Sequence, residues 1–201
     1  MSGRPAPADH PIESIISERW SGRAIDSRPV DRATVLSMLE AARWAPSCFG
    51  DEPWRFLLWD RERQPEGWEA ALNTLADKNQ QWARQAPVLI LVMADSEFSR
   101  NGKPNRWAQY DTGAAAENLH LQGVAAGLVV HQMGGFDADA AHLAFGIPDR
   151  YVPMSMVAVG HPGELSDLDE DFQGGETGPR QRRPLSELVF EGAWDNPLLE
   201  G

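Results

Sequence analysis

Cysteine is nearly absent. Cys48 stands alone, so no intramolecular disulfide can form, and a reducing cytosol is the compartment that fits. Long apolar runs are missing too. The longest, Val88 to Ala94, falls well short of the roughly 18–20 residues that cross a bilayer and has the length of a buried strand. The opening residues, MSGRPAPADHPIES, carry no apolar stretch of the kind a secretory signal needs. Positive charge is scarce: 18 Lys and Arg face 30 Asp and Glu, a formal net charge of -12. Such a surface repels phosphate backbones and anionic lipid, which argues against nucleic-acid and membrane partners. There is no Gly-x-Gly-x-x-Gly and no P-loop, so a separate dinucleotide-binding domain is not expected. The five histidines, His10, His120, His131, His142 and His161, show no metal-ligand spacing, and no metal site is expected.

What remains is ordinary globular material. The 201 residues, 42% hydrophobic, suffice for one domain with a real core. No repeat, low-complexity tract or linker divides residues 1–201. Tryptophan is the exception, with 8 residues against 2 tyrosines. It implies either a large core, or aromatic surface around a planar ligand or a subunit interface.

Residues 1–10 read as a loose leader, and Pro11 to Glu18 as a short helix. Asp31 is a plausible N-cap for a helix over 32–43, with Val35, Met38, Leu39 and Ala42 at helical spacing; Pro46 ends it. Trp54 to Trp59 reads as a strand, Pro65 to Leu75 as a helix, and 79–85 as a further turn or two. The run 87–94 has the look of a central strand covered on both faces. Residues 96–106 read as a loop with a mobile tip. The longest predicted helix, 107–126, is rich in small residues. A strand follows from 127, broken by Gly134-Gly135. Asp137 caps a helix to Phe145, stopped by Gly146 and Pro148. A last strand spans 154–160. An acidic loop, DLDEDFQGGETGP, leads to RQRRP and an apolar C-terminal arm, 185–201. Strands and helices mix in one core, so the class is α+β.

Three stretches invite chemistry. In Arg19-Trp20-Ser21-Gly22-Arg23, two guanidiniums and a hydroxyl at alternate positions point one way in an extended segment. Guanidinium planes match phosphate oxygens bidentately; the alternative is a solvated basic loop balancing an acidic surface. In Ala45-Pro46-Ser47-Cys48-Phe49-Gly50-Asp51-Glu52-Pro53-Trp54, a helix end meets a strand start, and exposed N–H groups beside short side chains can approach a flat ring. The alternative is an ordinary connection. Cys48 invites a nucleophile reading, but no sequence signal supplies the basic partner a reactive thiol needs.

Taken in order, RWSGR, then APSCFGDEPWRF, then GLVVHQMGGFDADAAHLAFGIPD, MVAVGHPGE and RQRRPLSELV resemble the nitroreductase family over roughly residues 11–190. The resemblance implies a central, mostly antiparallel sheet flanked by helices, in an intimate homodimer with a C-terminal arm and flavins at the interface. It implies FMN as cofactor, with NADH or NADPH as transient co-substrate and a small planar acceptor, a nitroaromatic or quinone, reduced by a ping-pong mechanism. Carried over, Arg19, Ser21 and Arg23 hold the phosphate side, and Arg180 and Arg182 complete it, with Arg183 a rival in register. Pro46, Ser47 and Cys48 line the flavin, Gly134 and Gly135 place N–H groups near the ring's N5 edge, and Asn79 bonds the pyrimidine edge. No side chain is needed as catalytic acid or base, because the flavin carries the chemistry. Two departures stand out. Gly50 replaces a frequent Asn, and Glu52 a frequent Gln; Glu52 either sits near the flavin and disfavours its anionic reduced form or pairs with Arg55 or another arginine. The departures keep open another flavin reaction (dehydrogenation, dehalogenation, flavin breakdown) and a non-catalytic flavin-binding module.

Overall fold

A computed structural model describes residues 4–198. The first three leader residues and 199–201 of the arm lie outside the described residues.

The chain runs α1 (Ser14–Glu18), β1 (Ile25–Asp26), α2 (Arg32–Arg43), β2 (Trp54–Asp60), α3 (Pro65–Asn73), α4 (Asp77–Ala83), β3 (Val88–Asp95), α5 (Ala108–Ala125), β4 (Val129–Met133), α6 (Ala138–Phe145), β5 (Tyr151–Pro162) and α7 (Glu170–Thr177). All strand pairs are antiparallel: β2 pairs with β3, β3 and β4 both pair with β5, and the short β1 pairs with the end of β5. This is the α+β sheet that the residue pattern predicts.

β3 is buried at every position, which is why it carries no alternation. Val88, Ile90 and Val92 join Val130, Val157 and Val159 under α2 and α5, where Val35, Met38, Ala115 and Leu119 close one core. Leu89, Leu91 and Met93 join Met133, Met156 and Ala158 against α3, α4 and α6, where Trp68, Trp82 and Ala141 close the other. Gly123 lets α5 reach β4 and α2: a Cβ there would lie 2.4 Å from Val130 Cγ2 and 2.9 Å from Met38 Cε. Local signals agree. Asp31 Oδ2 accepts from Ala33 N and Asp137 Oδ1 from Ala140 N, and Gly146 ends α6 at φ 60.

The structure corrects the sequence reading in four places. β5 starts at Tyr151, not 154, because a register shift at Val92/Met93 lets Pro153 join the strand where the ladder is already interrupted. The acidic loop contains α7, whose Glu170 and Asp171 sit in its first turn, where carboxylates favour the helix dipole. The leader is tied down: Ala6 N donates to Ser17 O at 2.8 Å, and Arg4 Nη1 to Gly175 O at 3.1 Å. The loop tip at 96–106 is pinned, since Asp51 accepts from Ser99 N, Ser99 Oγ and Asn105 Nδ2.

Candidate functional site

Four arginines of this acidic chain gather at one place. A cavity of about 370 Å³ is lined by Arg19, Arg180, Arg182 and Arg183, with Ile16 from α1 and Ala6 to His10 of the leader. Arg19 Nη1 donates to Ser21 Oγ at 3.0 Å, so these two lie together as expected. Arg180 holds the walls. Its Nη1 donates to Arg4 O and, at 2.8 Å, to Ser17 O, and its Nη2 to Arg19 O at 3.0 Å. A guanidinium has five N–H donors, so two of Arg180's remain for a ligand. Burial, then the charges of Arg19, Arg182 and Arg4, pull the Arg180 pKa down. Like charges crowded this way favour an anion in their midst. The more exposed Arg182 donates to Gln181 O at 2.8 Å.

Arg23 departs from the alternate-position expectation. It does not line the cavity. Its backbone N donates to Glu176 Oε1 at 3.0 Å, and its Nη1 lies 3.6 Å from the same oxygen. Glu176 Oε2 also meets Trp20 Nε1 at 3.5 Å. The helix α7, unseen in the sequence, supplies that carboxylate and draws Arg23 to it.

A buried histidine fixes the same segment from beneath. His131 Nδ1 donates to Gly22 O at 3.0 Å, and its ring lies 4.5 Å from that of Trp82. Burial above all, with the nearby Arg23 and His120 charges, pushes its pKa down to about 4 from the ordinary 6.5. The folded state therefore binds this proton less readily than the unfolded chain. The neutral ring's contribution is full above pH 6.5 and is lost as pH falls toward 4, about 3 kcal/mol in all. Urea unfolding of wild type and His131→Gln between pH 7 and 4.5 checks this: the variant's stability should change less with pH over that window. Glu117, whose pKa is lowered chiefly by its hydrogen bond with His120, acts only as pH falls through and below the usual carboxylate range.

Asn79 meets Gly135, the second glycine of the pair, and Gly134 precedes it with open space at its Cβ position. Gly135 O accepts from Asn79 Nδ2 at 2.9 Å and from Ala76 N at 2.9 Å, and a Cβ on Gly135 would lie 2.8 Å from Asn79 Nδ2. A side chain at 135 would therefore push the Asn79 amide aside. Asn79 keeps its oxygen and one N–H for a ligand edge.

The junction carrying Pro46, Ser47 and Cys48 stands apart. Cys48 N donates to Asp111 Oδ2 at 2.9 Å, and Ser47 Oγ accepts from Glu52 N at 3.1 Å. Phe49, Gly50 and Glu52 all have positive φ, 58, 64 and 51. Arg19 approaches Glu117 of the same α5 at 3.8 Å. Six residues separate Asp111 from Glu117, about 9 Å along the axis and about 120° around it, so junction and arginine cavity flank different faces of α5. Arg55 does not pair with the Glu52 carboxylate: it donates to the Glu52 and Trp54 carbonyls, each at 2.8 Å, and lies 4.0 Å from Asp95.

Known proteins resemble this chain along most of its length. A structure described as an oxidoreductase containing FMN is 31% identical, with a TM-score of 0.89, covering 96% of this chain and 98% of its own. A relative from Archaeoglobus fulgidus, provisionally named NADH dehydrogenase/NAD(P)H nitroreductase, is 30% identical over 78% of this chain and 88% of its own. A 15.4 kDa protein of Mycolicibacterium smegmatis is 38% identical over 62% of this chain and 82% of its own. The profile described as Nitroreductase family matches residues 16–161, and the chain belongs to that family.

Proposed function

We propose that this protein is an FMN-dependent NAD(P)H oxidoreductase that reduces nitroaromatics, quinones or similar planar acceptors. The observation that carries the reading is the gathering of Arg19, Arg180 and Arg182 around one cavity of a chain with net charge -12. Arg19, Arg182 and the two remaining N–H groups of Arg180 bind the phosphate; Ser21 positions Arg19. Arg23, turned to Glu176, supports the segment and adds its charge from a greater distance. Asn79, beside Gly134 and Gly135, binds the pyrimidine edge. Bound FMN would supply the redox chemistry, the exchange of a hydride with the nicotinamide and of two electrons with the acceptor. The net change balances: NAD(P)H, a proton and a quinone give NAD(P)+ and the quinol. This chain's share is binding, orientation and exclusion of water.

A homodimer completes the reading. In one chain the Ser47–Cys48 junction and the arginine cavity flank different faces of α5, and a second copy can bring its own junction to the first copy's cavity. Leu36 of α2, Trp44 just after it, and Tyr110 of α5 are exposed, and the apolar arm presents Leu188 and Trp194 to solvent. Such surfaces suit burial between subunits. No described helix is long and apolar enough to cross a membrane, and the lone Cys48 fits a reducing cytosol.

The purified protein should be yellow, bleach under NADH or NADPH without oxygen, and recolour on adding menadione. A protein that stays colourless after incubation with FMN would overturn the reading. Bound flavin that never bleaches would instead favour the non-catalytic module.

A further inference from the structure

The 96–107 loop and the 45–52 junction form one surface. Asp51 locks them together through Ser99 and Asn105. Above that lock Phe49, turned outward by its positive φ, is 73% exposed and meets Phe98 edge to face at 6.0 Å. Arg100 lies over both rings, its guanidinium carbon 4.0 Å from the Phe49 centroid and 5.3 Å from that of Phe98. Arg106 stacks on Trp107 at 4.5 Å, and Lys103 lies between them in sequence. Among the described residues, none of these three cations forms an ion pair. Three cations within seven residues, without ion-pair partners among the described residues and set beside exposed aromatic rings, offset Asp51, Glu52 and Glu97 of the same surface on an otherwise acidic chain.

A guanidinium stacked on a ring keeps its N–H edges free for a bidentate anion. The neighbouring phenyl rings offer stacking to a flat partner. We propose that the Phe49–Phe98–Arg100 cluster, whose Arg100 sits on the loop that also carries Lys103 and Arg106, recognises the anionic group of a planar aromatic electron acceptor. This rests on the oxidoreductase reading, in which the adjoining Pro46–Cys48 segment lines the flavin and places the cluster at the mouth of the acceptor site. It deepens that reading to a substrate class: carboxylated or sulfonated quinones and nitroaromatics over neutral ones.

The test uses the flavin-loaded protein, Arg100→Gln, and the quinone pair 1,4-naphthoquinone-2-sulfonate and menadione. Expected is a KM for the sulfonate raised about tenfold more than that for menadione, with the difference shrinking at high salt. Naphthalene-2-sulfonate, which accepts no electrons, should bind about tenfold more weakly to the variant by calorimetry. Equal effects on both quinones, or none on naphthalene-2-sulfonate binding, would overturn the proposal. So would a change confined to the NADPH-to-NADH ratio, which would assign Arg100 to the donor's phosphate. If the wild type reduces neither quinone while naphthalene-2-sulfonate still binds through Arg100, the oxidoreductase reading fails and the anion site stands.

Discussion

Replacing Arg19 and Arg182 together by alanine is expected to weaken FMN binding by about two to four orders of magnitude while barely affecting riboflavin. Each charge-assisted bond to a phosphate is worth about 1.5–3 kcal/mol, and two lost bonds give about 3–6 kcal/mol, at about 1.4 kcal/mol per tenfold. Riboflavin has the same ring and ribityl chain without the phosphate, so it reports damage to the rest of the site. Arg182 is exposed, and the side-chain contacts of Arg19 are Ser21 Oγ at 3.0 Å and Glu117 at 3.8 Å, so the fold should survive. Arg180 would be the poorer choice, because it clips the Arg4, Ser17 and Arg19 carbonyls and its loss would open the cavity wall. Fluorescence titration of both flavins decides the matter. Parallel weakening of FMN and riboflavin would mean that these arginines shape the chain and do not hold an anion.

The parts of this fold that were legible in the sequence are those whose cause is local. α2 spans Arg32–Arg43 as predicted, because an aspartate cap, helical spacing and a following proline all act within its own residues. β3 announced itself as an unbroken apolar run, and α6 through its Asp137 cap and Gly146 stop. The invisible parts were made by partners distant in sequence. β1 is two residues long and exists because Gly163 N donates to Ala24 O at 2.9 Å. α7 hides in a stretch whose two glycines, Gly174 and Gly175, and acidic residues read as loop. It matters to the site, since its Glu176 takes Arg23.

The same division holds within the site. The pairing of Arg19 with Ser21 could be read from residue type, whereas the turn of Arg23 to Glu176 could not. The clip formed by Arg180 could not, nor the anchor of His131 on Gly22, because both join segments more than a hundred residues apart. A signal for His131 did exist. A histidine within the apolar run LVVHQM is a buried polar group that must find a partner. Only the fold shows that the partner is the carbonyl between Ser21 and Arg23.

That anchor makes a second large effect expected at Trp82, a core residue of α4 three positions from Asn79. Trp82→Ala should cost about 3–5 kcal/mol, because Trp82 is 1% exposed and is the largest of the fully buried side chains. For a chain of this size the loss corresponds to a melting temperature lower by about 10 °C. Trp82 lies on the α4 side of the sheet and lines neither the arginine cavity nor the 45–52 junction. Its ring packs on His131 at 4.5 Å, and His131 in turn holds the Gly22 carbonyl. Removing the indole frees the imidazole to tilt, so the segment Arg19 to Arg23 loses its anchor, and FMN affinity should fall by about tenfold even under conditions where the variant stays folded. Trp82→Phe retains an aromatic face and should keep most of both properties. Thermal unfolding and flavin titration on the two variants separate the effects. Should Trp82→Ala melt early yet bind FMN as tightly as the wild type, the path from core to cavity through His131 would be refuted and Trp82 would be a packing residue alone. Should it melt within a degree or two of the wild type, the view of α4 as wedged into the core by this side chain would fall as well.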